Sequence, residues 1–207
     1  MKLKNVFQIL GFRGKPRHYS YEVVDYDLGD GNVVHFAQWK HPSESIKEIT
    51  ADIVNGYRKY IHEGDFVVDI GAHSGDTTLP MAIAAGKGGC VLALEPNPFV
   101  FHVLQKNARA NIHLTNIQTM MAAASFDEGF IEFQYSDSGF CNGGCHQNIS
   151  VLTHGHAYKQ EVFSVNLEKE LRLNYPHLLH RLSFVKIDTE GYDLYVIRTI
   201  EGLLREF

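Results

Sequence analysis

The residues of this chain best placed to do chemistry are acids set beside glycines. Asp69, Gly71 and Gly75 fall in the run Phe66-Val67-Val68-Asp69-Ile70-Gly71-Ala72-His73-Ser74-Gly75-Asp76-Thr77-Thr78. Glu95 stands before Pro96-Asn97-Pro98, and Asp188 and Glu190 lie in Lys186-Ile187-Asp188-Thr189-Glu190-Gly191. Glycine lacks a Cβ, so a backbone turning at Gly71 and Gly75 admits a close ligand. An acid at the end of the next strand can accept hydrogen bonds from two neighbouring ribose hydroxyls, the task assigned to Glu95. Together the turn and the acid point to an adenosine-containing ligand. The spacing Asp-x-Gly-x-x-x-Gly lacks the close Gly-x-Gly-x-x-Gly triad that brings a pyrophosphate to a helix N-terminus, which counts against NAD and FAD.

Such groups need strands that end where the acids begin. Phe66, Val67, Val68 and Ile70 form the continuous apolar run of a strand buried on both faces of a parallel sheet, so Asp69 and Gly71 sit at its carboxyl end. Asp76 or Thr77 is placed to cap the helix that follows, over 78–85, and Gly86-Lys87-Gly88-Gly89 ends it. A second strand over 90–94 delivers Glu95, and Pro98 opens a helix over 98–110 with Phe99, Val103, Leu104 and Ala108 inward. Further strands are expected at 117–121, 130–135, 161–165 and 183–187, and a helix at 192–204. The alternation of strand and helix predicts an α/β fold with a Rossmann-like, doubly wound, mostly parallel sheet flanked by helices.

Ahead of this core, residues 21–26 and 33–36 read as strands joined by Leu28-Gly29-Asp30-Gly31-Asn32, a hairpin. Ser43 then caps a predicted helix in which Ile46, Ile49, Ile53, Val54, Tyr57 and Tyr60 recur at helical spacing. Residues 1–65 are expected to form this hairpin and helix, packed on a core unit over 66–207. A chain ending on a helix after its fourth main strand leaves that side of the sheet short of strands, so further C-terminal strands are expected in the complete protein. The alternative is a minimal domain that shields the edge as a homo-oligomer.

Composition narrows the class. The 207 residues are 44% hydrophobic, enough for one sizeable core, and carry a net charge of -5. Without clustered Lys and Arg, a nucleic-acid partner is not expected. The N-terminal apolar piece is too short for a membrane span or a signal-peptide core, and the three cysteines make a disulfide framework improbable, so a cytoplasmic protein is expected.

Val68-Asp69-Ile70-Gly71-Ala72, Gly75-Asp76-Thr77-Thr78-Leu79, Ala93-Leu94-Glu95-Pro96-Asn97-Pro98 and Val185-Lys186-Ile187-Asp188-Thr189-Glu190-Gly191 together resemble the FkbM-type methyltransferases, a class I family dependent on S-adenosylmethionine. The resemblance runs from about Phe66 to Leu204. It implies an O-methyltransferase acting on a hydroxyl of a sugar, glycan or other small metabolite. By position, Asp69, Gly71, Ala72, His73 and Gly75 would surround the methionine end of the cofactor, Glu95 and Asn97 would hold the ribose, and Ala122 and Ala123 would lie near the adenine. His73 and Ser74 stand where the family carries an Asn and a bulkier apolar residue.

A sugar hydroxyl is a poor nucleophile at neutral pH, so a base should assist its deprotonation. Asp188 is the first candidate, with Glu190 and Lys186 next. Against the latter two stand structural roles, Glu190 as a helix cap and Lys186 as the partner of a neighbouring carboxylate. His146, in the irregular loop 139–160, is a further candidate. Cys145, His146, His154 and His156 could ligate zinc but lack a paired Cys-x-x-Cys framework, and no metal is expected. The competing readings are a cofactor-binding module without catalysis and, less favoured, a Rossmann-type oxidoreductase.

Overall fold

The computed structural model describes residues 17–29, 31–135, 143–144, 158–189 and 191–206. In chain order, β1 (Tyr21–Asp27) and β2 (Val33–Trp39) form an antiparallel hairpin, followed by α1 (Ala51–Tyr57). Next come β3 (Phe66–Ile70), α2 (Thr78–Ala85), β4 (Cys90–Leu94), α3 (Pro98–Ala110) and β5 (Ile117–Met120). A second group holds β6 (Ala123–Ser125), β7 (Gly129–Tyr135), β8 (Gly143–Gly144) and β9 (Tyr158–Asn166). The described chain finishes with α4 (Leu167–Asn174), a 3-10 turn at Leu179–Arg181, β10 (Leu182–Ile187), α5 (Asp193–Thr199) and α6 (Glu201–Leu204). The central sheet runs β10-β3-β4-β5 with every pair parallel, and a smaller mixed sheet runs β6-β9-β7-β8.

Every residue of β3 and β4 is buried, as a strand covered on both faces requires. Phe66, Val68, Ile70, Leu92 and Leu94 pack on one face against Leu167 and Leu171 of α4 and Val196, Ile200 and Leu203 at the C-terminal end. Val67 and Val91 point the other way, onto Met81, Ala82 and Ala85 of α2. Helices on both faces make this the doubly wound arrangement expected. Each such side chain taken fully out of water contributes about 1.5–3 kcal/mol.

The hairpin is fastened by two asparagines. Asn107 Oδ1 accepts the Ala37 N–H at 2.6 Å and Asn107 Nδ2 donates to the Ala37 carbonyl at 3.3 Å. Asn111 does the same for His35, at 2.9 and 2.7 Å. Four helix residues advance about 6 Å, and two strand residues advance about 6.8 Å, so asparagines four apart on α3 meet alternate residues of β2. The side chains thus stand in for a neighbouring strand along that edge.

Several elements depart from the sequence-based expectation. The helix expected from Ser43 begins only at Ala51, with the Thr50 hydroxyl accepting the Ile53 N–H at 3.3 Å. Backbone groups that a longer helix would use are taken by the hairpin: the Lys47 N–H donates to Gln38 Oε1 at 3.1 Å, and the Lys47 carbonyl accepts from the Tyr26 hydroxyl at 2.6 Å and from Gln38 Nε2. The helix expected over 192–204 breaks at Ile200 into α5 and α6. There the Thr199 hydroxyl donates to the Val196 carbonyl at 2.6 Å, a back-bond that bends helices. Finally, α4 and β6 were not expected at all. Among the described residues no helix is long and apolar enough to cross a membrane.

Truncating a buried asparagine that serves backbone groups leaves those groups without partners. Asn107→Ala is therefore expected to lower unfolding free energy by about 2–4 kcal/mol in urea titration, whereas the exposed neighbour change Arg109→Ala should stay within about 0.5 kcal/mol.

Candidate active site

The carboxyl ends of β3, β4 and β10 open into a cavity of about 830 Å³, closed on its sides by the second sheet, by the start of α5 and by the segment before α1. This is the crevice in which open α/β sheets take ligands, and its size suits a small molecule.

Gly71 turns the chain there with φ +77°, and a Cβ on it would come 1.9 Å from the Asp188 carbonyl oxygen. Only glycine lets the ends of β3 and β10 come so close. Gly75, φ +91°, has a different duty: its Cβ would meet Leu104 Cδ1 at 2.9 Å, so it admits α3 rather than a ligand, and it does not line the cavity. Between them His73 adopts φ +49°, the one positive φ of a non-glycine among the described residues. That conformation aims its backbone N–H at Glu95 Oε2, 2.8 Å away.

Glu95 is thereby fixed at the mouth of β4. Its other oxygen accepts the Asn97 N–H at 2.8 Å, while the Asn97 side chain accepts from the Phe99 N–H and caps α3. A carboxylate has about four acceptor positions, so two remain for a ligand on the cavity side. Burial pushes the Glu95 carboxyl above its ordinary value, while His73 and the backbone N–H groups of Asn97 and His73 pull it down.

Asp69 lies under this floor and does not touch the cavity. Its Oδ2 accepts from the Thr78 hydroxyl at 2.6 Å, and its Oδ1 lies 3.1 Å from Lys186 Nζ, which also donates to the Gly71 carbonyl at 3.2 Å. Burial raises the Asp69 carboxyl against the pull of Lys186 and Thr78. For Lys186, burial works against the charge, yet the carboxylates of Asp69 and Asp188 outweigh it and hold the ammonium above its usual range. Asp69 thus supports the site from beneath, where the sequence reading had it surrounding the ligand. Thr77 takes the N-cap position of α2 without a side-chain capping bond, so neither it nor Asp76 caps as expected.

Asp188 faces solvent at the cavity wall, its side chain 70% exposed and 3.7 Å from Lys186. The loop carrying it is tied down because the Thr189 N–H and hydroxyl both donate to Asp193 Oδ1, at 2.7 and 2.8 Å. Gly71, Ala72, His73, Glu95, Asn97, Ala122, Ala123 and Asp188 therefore share one cavity. Since β4 lies between β3 and β5, Glu95 stands between the glycine turn and Ala122. Glu190 and His146 lie outside the described residues, as do Cys141, Cys145, His154 and His156. Burial pushes the Cys90 thiol up to about 11, which keeps it an unreactive core group.

Sequence reasoning missed several residues of the lining: Glu44 and Lys47 before α1, Glu132 and Gln134 on β7, and Tyr192 and Tyr195 at α5. No motif announces them. They reach the cavity through the packing of the hairpin and the second sheet.

The family profile described as "Methyltransferase FkbM domain" matches residues 69–207. Among solved structures the chain is similar to TYW2 of M. jannaschii in complex with AdoMet, at 22% identity and a TM-score of 0.37 over 54% of this chain and 46% of that one. It is also similar to TYW2 of P. horikoshii in complex with MeSAdo, at 18% identity and a TM-score of 0.36 over 56% of this chain and 45% of that one. Aeropyrum pernix fibrillarin with bound S-adenosyl-L-methionine matches at 20% identity and a TM-score of 0.32, over 55% and 57%. The chain thus spans about half the length of these structures. No curated protein matches it.

The ion pair beneath the turn has a pH signature. With its folded pKa above the unfolded value of about 3.9, Asp69 binds its proton more tightly in the folded state, so its contribution to stability falls as pH rises through that interval. Lys186→Met widens the interval by removing the counter-charge. The variant is expected to lose about 3–5 kcal/mol near neutral pH, with a deficit that shrinks as acid protonates Asp69. Denaturant titrations across the acid range check this, and a pH-independent deficit would contradict an ionised pair.

Proposed function

The chain belongs to the FkbM methyltransferase domain family, which depends on S-adenosylmethionine, and on that premise we propose that it methylates a hydroxyl of a sugar or other small metabolite held beside Asp188. One observation carries the reading: a single cavity joins a buried carboxylate with acceptor positions to spare, Glu95, to a solvent-facing carboxylate, Asp188, on strand ends separated only by β3.

The residues present fit the cofactor. The spare acceptor positions of Glu95 suit the two ribose hydroxyls, and Asn97 serves by holding Glu95 in place. Ala122 and Ala123, small and buried, leave room for a flat adenine beyond the ribose. Gly71, Ala72 and His73 present turn backbone to the methionine end, while Asp69 and Gly75 act from below by fixing the turn. When bound, the cofactor supplies an electrophilic methyl carbon on a sulfonium.

The chain's part is to align an acceptor oxygen with that carbon and to manage one proton. Asp188 accepts the hydrogen bond of the acceptor hydroxyl and takes its proton as the oxygen attacks in line. Lys186, 3.7 Å behind it, keeps positive charge next to the developing alkoxide. Glu132, Gln134, Tyr192 and Tyr195 offer the mixture of polar groups and aromatic faces that a polyhydroxylated acceptor can use. Lys186 of the lining is paired with Asp69 and Asp188, and the net charge is -5, which favours such an acceptor over a polyanion.

Two measurements test these assignments. Glu95→Gln is expected to weaken S-adenosylhomocysteine binding in calorimetry by about tenfold or more. In the unchanged protein, affinity should fall on acidification from a pH above the ordinary carboxyl value of about 4.3, because burial has raised the group that must be ionised to accept two donors. Unaltered affinity in the variant would remove the ribose assignment. Asp188→Asn is expected to cut methyl transfer from labelled cofactor by about a hundredfold or more while leaving homocysteine-form affinity unchanged. Equal turnover would remove Asp188 as the base.

A further inference from the structure

One end of the crevice is built by residues outside 69–207, the stretch the family profile covers. Glu44 and Lys47 come from the segment before α1 and line the cavity beside His73 and Asp76. Lys47 Nζ lies 3.3 Å from Asp76 Oδ2 and 3.8 Å from Glu44 Oε2, and Glu44 Oε1 lies 3.6 Å from His73 Nε2. The side chains are 11% exposed for Glu44 and 29% for Lys47, so neither is an ordinary solvated surface charge.

Their position is imposed from outside the cavity. Both backbone groups of Lys47 are held by Gln38 and Tyr26 of the hairpin, and the hairpin is itself held to α3 by Asn107 and Asn111. Two residues on from Lys47, Ile49 is buried with Val34, Phe36 and Leu79. The result is a cation and an anion standing side by side over the glycine turn, on a segment that cannot slide away without undoing the hairpin contacts. A preorganised pair of opposite charges matches a ligand that carries opposite charges on one carbon.

We propose that Glu44 and Lys47 form the subsite for the amino-acid head of the cofactor, with the Lys47 ammonium donating to its α-carboxylate and the Glu44 carboxylate accepting from its α-ammonium. This rests on the reading of the crevice as an S-adenosylmethionine site. With the ribose at Glu95 and the adenine towards Ala122, the head points back over the turn after β3, where these two side chains stand. Lys47 gives up little in the exchange. Its contact with Asp76 is a partly hydrated ion pair, of the kind worth about 0–1 kcal/mol.

The test compares two probes that share adenosine and a thioether sulfur but differ in the head: S-adenosylhomocysteine, which has it, and 5′-methylthioadenosine, which lacks it. In calorimetry, Lys47→Met and Glu44→Gln are each expected to lose about ten- to a hundredfold in affinity for S-adenosylhomocysteine and to keep wild-type affinity for methylthioadenosine. Equal losses on both probes would overturn the proposal by making the pair a structural clamp, and unchanged affinity for both would overturn it outright. A wild-type protein that binds neither probe would overturn the reading of the crevice itself. Should Lys47→Met not fold by circular dichroism, the isosteric Glu44→Gln carries the comparison, and Lys47→Arg, which keeps the cation, should retain the preference for the head-bearing probe.

Discussion

Asp69 is wholly enclosed at the end of β3, and a charge taken out of water there must be met by a counter-charge and by hydrogen bonds. Lys186 from β10 and Thr78 from α2 supply them, so this one carboxylate ties together two strands and a helix. The same ammonium reaches the Gly71 carbonyl and stands near Asp188. Positions of the turn, of the neighbouring strand end and of the exposed carboxylate are consequently linked. Gly71 is the geometric condition for this, since any side chain there would collide with the Asp188 backbone. The compact junction of β3 with β10 sets the distance between the two ends of the crevice.

A second linkage joins the N-terminal segment to the same place. Asn107 and Asn111 hold the hairpin, and Asn107 Nδ2 also donates to the Ser74 carbonyl at 2.8 Å, so the helix that carries the hairpin steadies the glycine turn as well. Gln38 and Tyr26 of the hairpin then hold Lys47. Each step satisfies backbone groups that burial would otherwise leave without partners, and it adds direction to the apolar packing of Ala37 and Trp39 on Phe99, Val100 and Val103.

Much of the core was legible in the chain because its signals are local. The apolar runs that became β3 and β4, the helix over Thr78–Ala85 and the helix opened by Pro98 lie where the apolar pattern, the Gly86 break and the proline put them, although the expected cap of the first helix did not form. The helix expected from Ser43 failed for the opposite reason. Ile46, Ile49 and Ile53 have helical spacing, yet Ile46 is exposed and Ile49 buried, because the hairpin had already taken the Lys47 backbone. Similarly, α4 carries only Leu167 and Leu171 on its buried side, too few apolar positions to stand out from the polar residues around them.

The sequence alone determined which acids and glycines occupy the strand ends, and hence the family and the class of ligand, because those residues must be adjacent along the chain to shape one turn. It could not distinguish the acid that lines the cavity from the acid buried beneath it. Asp69 and Glu95 are both carboxylates next to glycine- or proline-marked turns, and only the direction of each side chain out of its pleat put one beneath the floor and the other on the wall. The same holds for Glu44 and Lys47, brought to His73 and Asp76 across some thirty residues by hairpin packing. Contacts of that kind depend on long-range burial and hydrogen-bond satisfaction, which leave no period or spacing in the chain to be read.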